Sequence, residues 1–189
     1  MTTVFFDLET GGLEPHHPII QLAAVATHRG KELGSLEVKI QFDESECDPE
    51  ALKLNSYDPK LWANAETEGM AMQAMAGFCK EYRTVQKTSK KGYPYKVAEA
   101  AGHNIQSFDL PRLMAAAKKY DVFMPLDWYC LDTYAASIWY FKAHPPMPEN
   151  LKLETLCKHF GIPIEAHDAL GDVRANIPLA RELFMFWRE

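Results

Sequence analysis

The segment TTVFFDLETGGL, residues 2–13, constrains the fold more than any other part of the chain. Val4, Phe5, Phe6 and Leu8 form an apolar run suited to a buried strand, yet Asp7 and Glu9 stand inside it. Side chains alternate along a strand, so Asp7 and Glu9 project from one face together with Thr3 and Phe5, and Leu8 from the other. Two carboxylates on a buried face are costly unless something offsets them. One reading is a solvated sheet face, which antiparallel sheets often have. The other is that the two acids share a ligand, and Phe5 beside them weighs against a purely wet face.

The rest of the sequence supplies enough apolar material to bury such a strand. With 189 residues, 47% of them hydrophobic and four tryptophans, the chain suits a single domain, residues 1–189, with a full-sized core. No stretch approaches 18 consecutive apolar residues, and the N-terminus has neither a basic region nor a cleavage pattern, so a soluble, cytoplasmic protein without a membrane partner is expected. Cys47, Cys79, Cys130 and Cys157 are widely spaced with no C-x-x-C pair, which argues against a structural zinc site or a disulfide framework. The formal charge of −6 is the wrong sign for coating nucleic acid nonspecifically, but it allows a phosphate to be gripped through metal ions. The one dense basic stretch, Arg83 to Lys96, interleaves lysines with Tyr93 and Tyr95. It reads as a solvated loop or hairpin, or as a contact for a nucleic-acid backbone.

Strand one is followed by two β-prone runs, IIQLAAVATH and ELGSLEVKI, joined at RGK, so a three-strand meander opens the protein. DPEALKLN and NAETEGMAMQAMAGFCKEY have helical spacing, the first with Asp and Pro as a start signal. VAEAAGHN reads as a short buried strand, FDLPRLMAAAKKY as a helix with Pro111 in its first turn, DWYCLD as strand and TYAASIWYFK as helix. The aromatics of WYCLDTYAASIWYF are expected in the core. LKLETLCKHFGI closes at Gly161, and a last long helix contains Pro178, which predicts a kink or break. A meander followed by alternating helices and strands predicts an α/β fold with a mixed sheet flanked by helices.

Further acids lie far away in sequence. In AHDALGDVRAN, Asp168 and Asp172 are four apart on one helical face; Asp168 is explained as an N-cap, which leaves Asp172 one turn inside without an evident reason. His167 shares a site with Asp172 only if it lies in the loop before that helix; it is otherwise structural. In GHNIQSFDLP, Asp109 is either a helix cap or a functional acid, and His103 and Asn104 are either loop polars or site residues.

FDLETGGL, GHNIQSFDLP and HDALGDV, in that order, resemble the three motifs of the DEDDh (DnaQ-like) 3′-to-5′ exonucleases, and the resemblance spans residues 4 to about 180. It implies an RNase H-like fold, hydrolysis of phosphodiesters and release of nucleoside 5′-monophosphates. By that resemblance Asp7, Glu9, Asp109 and Asp172 are the metal-binding acids for two Mg²⁺ or Mn²⁺ ions, Asp7 bridging them and Asp109 assisting through water. Oxygen-only ligands suit those ions, and two-metal sites stabilise both the attacking and the departing oxygen. His167 corresponds to the base that takes the proton from water. Thr10, Gly11 and Gly12 correspond to backbone that approaches the terminal nucleotide, Leu13 to a wedge against the last bases, and Phe108 to a pocket wall; Leu13 and Phe108 are equally readable as packing residues. His103 and Asn104 complete the expected substrate contacts.

The expected partner is the 3′ end of a nucleic acid, single-stranded DNA before RNA, with a polymerase, a repair protein or a second copy as compatible protein partners. The segment Thr84 to Lys96 is longer than the family usually places before its second motif. The chain ends soon after the last helix, which favours a free-standing enzyme. An exoribonuclease trimming RNA 3′ ends or an oligonucleotide scavenger is the nearest alternative, because discrimination rests on contacts to the 2′-hydroxyl. A nonenzymatic module binding nucleic acid or a polymerase is the alternative of another class.

Overall fold

The computed structural model describes residues 2–164 and 168–184. Strands β1 (Thr2–Thr10), β2 (Ile19–His28) and β3 (Lys31–Lys39) form the expected antiparallel meander. The β2–β3 turn contains only Arg29 and Gly30, both with positive φ (51° and 75°). That conformation matches the twist of two-residue hairpins, and Gly30 adopts it without penalty. The meander leads to α1 (Pro49–Leu54) and α2 (Glu68–Glu81), whose N-caps Asp48 and Thr67 accept from Glu50 N and Met70 N. A separate two-stranded hairpin, β4 (Val85–Thr88) and β5 (Pro94–Val97), holds the basic segment.

The chain then returns to the main sheet through β6 (Glu99–Gly102), which pairs parallel to β1, and α3 (Asp109–Lys119) follows. β7 (Leu131–Asp132), parallel to β6, completes a five-stranded mixed sheet in the order β3-β2-β1-β6-β7. Helices α4 (Thr133–Ala143), α5 (Leu153–Phe160) and α6 (Ala169–Phe184) finish the described chain. Gly161 caps α5 in the left-handed region at φ 68°.

The alternation of β1 separates two cores. Val4, Phe6 and Leu8 point into a cluster with Met72 and Met75 of α2 and Leu110 and Leu113 of α3. Phe5 points the other way, against Val173, Ile177 and Ala180 of α6. Helices therefore cover both sheet faces, and the face bearing Asp7 and Glu9 is not the solvated side that one reading of the sequence allowed. Phe5 is completely buried there.

Two expectations are corrected. Only Leu131–Asp132 of the DWYCLD run is strand, because the segment is an edge that pairs briefly with β6. Most of its aromatics and those of α4 are not core: Tyr129 and Trp139 are 81% and 78% exposed, whereas Phe141 is buried with Tyr140 packed partly buried against its cluster. Pro178 lies inside α6 without ending it. The helix is held from two sides, by the sheet through Val173 and Ile177 and by the α4–α5 layer through Leu179 and Leu183. Among the described residues no helix is long and apolar enough to cross a membrane.

Candidate active site

The acidic centre forms where β1 emerges from beneath α6. Strand alternation aims Asp7 and Glu9 at the first turn of α6, and that turn brings Asp172 to meet them. One carboxylate oxygen from each of Asp7, Glu9 and Asp172 lies within 4.8 Å of the others. The helix start is set by Asp168, whose Oδ2 accepts from Gly171 N at 3.0 Å, with its carbonyl accepting from Asp172 N at 2.8 Å. Asp168 is thus the N-cap, as read from the sequence, and Asp172 is the acid that the cap directs inward. His167 lies outside the described residues.

Asp109 comes from the start of α3, whose apolar side packs on the opposite face of β1. The capping reading does not hold for it, since Phe108 occupies the N-cap position and no side chain caps α3. Instead the buried Asp109 carboxylate accepts from Leu8 N at 3.0 Å, which fastens the second motif to the strand between Asp7 and Glu9.

Crowding and burial change the ionisation of these acids. The Asp7 carboxyl is held well above the ordinary range, first by burial and then by the negative charges of Asp109, Glu9 and Asp172. Glu9 is pushed up to about 7 by burial, with Asp172 and Asp168 adding repulsion. Asp109 is also pushed up to about 7 by burial, against the opposing hydrogen bond from Leu8 N–H and the charge of Arg112. An oxygen-only donor set whose members repel one another fits a hard divalent cation, which lowers the cost of ionising all of them together.

Beside Glu9 opens a cleft of about 460 Å³ whose lining includes Thr10, Gly12, Leu13, Asn55 and Phe108. The structure therefore brings most of the expected substrate residues to one place. Leu13 stands 81% exposed at its mouth. The Thr10 hydroxyl is spent on the turn, donating to Gly12 O at 2.8 Å. The glycines have an internal reason as well: a Cβ on Gly11 would run into Cys47 Sγ, and one on Gly12 into the His17 ring.

His103 and Asn104 lie elsewhere, beside the start of α4. The two ring nitrogens of His103 bond Thr133 Oγ1 and Leu151 O, each at 3.0 Å, which leaves the ring no free nitrogen for a nucleotide. Burial also lowers its pKa and favours the neutral ring. Asn104 uses its side-chain oxygen to accept from Ser107 Oγ at 2.8 Å. Asp132, the N-cap of α4, accepts from Asn104 N and Gln106 N and so shapes the second-motif loop.

Three supporting residues had no visible signal in the sequence. Asn55 donates to Thr10 O at 3.0 Å across 45 positions. The Asn176 side-chain amide pairs with Thr133 Oγ1 at 2.9 Å, tying α6 to α4. Arg112 donates to the carbonyls of both Leu13 and Phe108 while its guanidinium lies 3.7 Å from the Phe108 ring centre. It links the first-motif loop to the second.

The RNase_T family profile, described as exonuclease, matches residues 4–180. Comparison with curated protein sequences returns no match. Among solved structures, the apo form of exonuclease I aligns at a TM-score of 0.76 and 20% identity, covering 98% of this chain and 42% of that one. E. coli exonuclease I in complex with a dT13 oligonucleotide gives 0.76 and 20%, covering 98% and 41%. An exonuclease I from Methylocaldum szegediense gives 0.71 and 20%, covering 96% and 40%. The chain thus spans about two-fifths of the length of these neighbours, and at such identity the likeness establishes the fold, which is RNase H-like. With the profile running from β1 into α6, across all three acidic motifs, the chain belongs to the DEDDh (DnaQ-like) exonuclease family.

Proposed function

We propose that this protein is a metal-dependent 3′-to-5′ exonuclease that releases nucleoside 5′-monophosphates, with single-stranded DNA as its preferred substrate. The observation that carries the reading is the meeting of Asp7, Glu9 and Asp172 oxygens within 4.8 Å. The preference for DNA draws on the E. coli exonuclease I structures determined with dT13 and dA16 oligonucleotides.

Asp7, Glu9 and Asp172 would hold two Mg²⁺ or Mn²⁺ ions. Such ions supply Lewis-acid stabilisation of the entering and departing oxygens. Asp109 keeps one oxygen on Leu8 N–H and sets its charge beside Asp7, where it would favour a bound cation. His167 would take the proton of the attacking water, a task suited to a group titrating near neutrality. The cleft beside Glu9 would receive the terminal nucleotide, with Leu13 against its base and Phe108 as the wall behind. Arg112 keeps Leu13 and Phe108 in register.

The test uses one sequence as single-stranded DNA, duplex DNA and single-stranded RNA, labelled at either end, with product analysis. A ladder shrinking from the 3′ end with release of 5′-monophosphates supports the proposal. Release of label from the 5′ end overturns the polarity, and faster loss of RNA overturns the choice of sugar. His167→Ala should slow turnover about 10²- to 10⁴-fold while leaving metal binding intact; an unchanged rate would make His167 structural.

A further inference from the structure

The basic hairpin lies at the far end of the same sheet. Thr84, at its foot, accepts from Thr2 N at 3.2 Å, so the hairpin sits where β1 begins and the acids sit where it ends. Seven residue steps along the strand lead from Thr2 to Glu9, a span of about 23 Å. The hairpin walls a groove of about 700 Å³ lined by Arg83, Lys90 and Lys96 together with Tyr93, Tyr95 and Phe123, and none of its lining residues is acidic. Tyr93 and Phe123 are 70% and 71% exposed. Among the described residues neither Lys90 nor Lys96 forms an ion pair, whereas Lys87 on the same hairpin pairs with Asp127 at 2.8 Å.

The hairpin also touches, through Lys87, the segment that leads toward the acids. Lys87 Nζ lies 5.3 Å from the Tyr129 ring centre. Leu126 bridges Ala98 and Leu131 pairs with Ala101, so this segment runs alongside β6 toward the catalytic end of the sheet. Five steps on one side match three on the other, and the surplus bulges outward with Trp128 and Tyr129 exposed. The segment then reaches Asp132, which holds the second-motif loop.

We propose that the hairpin groove, extended by Trp128 and Tyr129, is a second binding surface for single-stranded nucleic acid. It grips the strand upstream of the 3′ end that the acidic centre receives, and in that sense it rests on the exonuclease reading. Lys90 and Lys96, which form no ion pair among the described residues, meet the phosphates, and exposed aromatic faces stack on bases of any sequence. An acidic polypeptide would use the cations but would leave the aromatic faces without planar partners.

The test measures binding in EDTA of a trinucleotide and of a single strand of about 20 nucleotides. At about 3.4 Å per stacked nucleotide the trinucleotide is too short to bridge the two ends of the sheet. Lys90→Gln/Lys96→Gln/Tyr93→Ala should weaken binding of the long strand about tenfold or more, with a smaller loss on the trinucleotide. It should also flatten the salt dependence by about 1.4 in log–log slope, the loss of two phosphate contacts. Unchanged long-strand affinity, or an equal loss on both lengths, overturns the proposal. So does polyglutamate competing as well as the oligonucleotide, which would identify an acidic protein as the partner. Because binding is read without metal, a wild-type protein that binds the long strand but cleaves nothing would overturn the exonuclease reading and leave the groove standing.

Discussion

The two ends of β1 gather charge of opposite sign under different physical conditions. At its C-terminal end Asp7, Glu9, Asp109 and Asp172 crowd together with their carboxylates partly or wholly withdrawn from water. At its N-terminal end Lys90, Lys91 and Lys96 stand in solvent on a separate two-stranded unit. Exposed like charges cost little, because water and salt screen them. Buried like charges are costly, and the protein keeps them. The acidic end therefore trades stability for a cation, whereas the basic end can change without disturbing the fold.

The largest expected effect comes from removing a ligand. Asp7→Ala or Asp172→Ala should lower turnover by about 10³-fold or more, the loss of several kcal/mol of metal-borne stabilisation. The metal-free variants should melt no lower than the wild type at neutral pH, because a repelling charge has gone. Thermal melting and single-turnover cleavage check both halves. A folded Asp172→Ala protein with wild-type turnover would move the ligand assignment to Asp168.

Next is the pH dependence of the metal-free protein. Glu9 and Asp109 titrate near 7 when folded, and Asp7 is raised as well, against about 4 in an unfolded chain. Between about pH 4 and pH 7 the folded state binds more protons than the unfolded one, so stability falls as pH rises. The melting temperature should drop by several degrees from about pH 5 to pH 8, and Mn²⁺ should restore it more at the higher pH. A rise in stability over that range would remove the contrast between the two ends.

Arg112→Ala should raise KM about tenfold with a smaller change in kcat, as the link between Leu13 and Phe108 is lost. Arg112→Lys, which keeps the charge but not the planar fork, should recover only part of it. A fall in kcat with KM unchanged would place Arg112 in general folding support instead. The smallest effect is expected at Asp168→Ala, about 1 kcal/mol of stability from the lost cap, read by denaturant unfolding, with metal binding retained.

The parts of this architecture that rest on local rules were legible in the chain. The alternation of β1, the caps at Asp48 and Asp168 and the glycine that ends α5 follow from neighbouring residues. What could not be read were relations across long separations. The cover over Phe5 comes from α6, and the partner of Asp109 is the Leu8 amide 101 positions away; Asp109 at a helix start looked like a cap for that reason. The exposed aromatics of α4 were misread because an apolar helix after a strand normally packs inward. Here the strand is a two-residue edge and leaves much of that helix uncovered. At the site, the acids could be identified by motif, but the commitment of both His103 nitrogens and the reach of Arg112 to Leu13 exist only in three dimensions.

The most direct test of the central claim is calorimetric titration of Mn²⁺ into the metal-free wild type and into Asp172→Asn, in two buffers of different ionisation enthalpy. The account predicts saturable binding by the wild type with release of protons, and its loss or steep weakening in the variant, because carboxylates held partly protonated must ionise to ligate. Absence of binding by the folded wild type, or an identical isotherm for Asp172→Asn, would contradict the reading of Asp7, Glu9 and Asp172 as a metal centre.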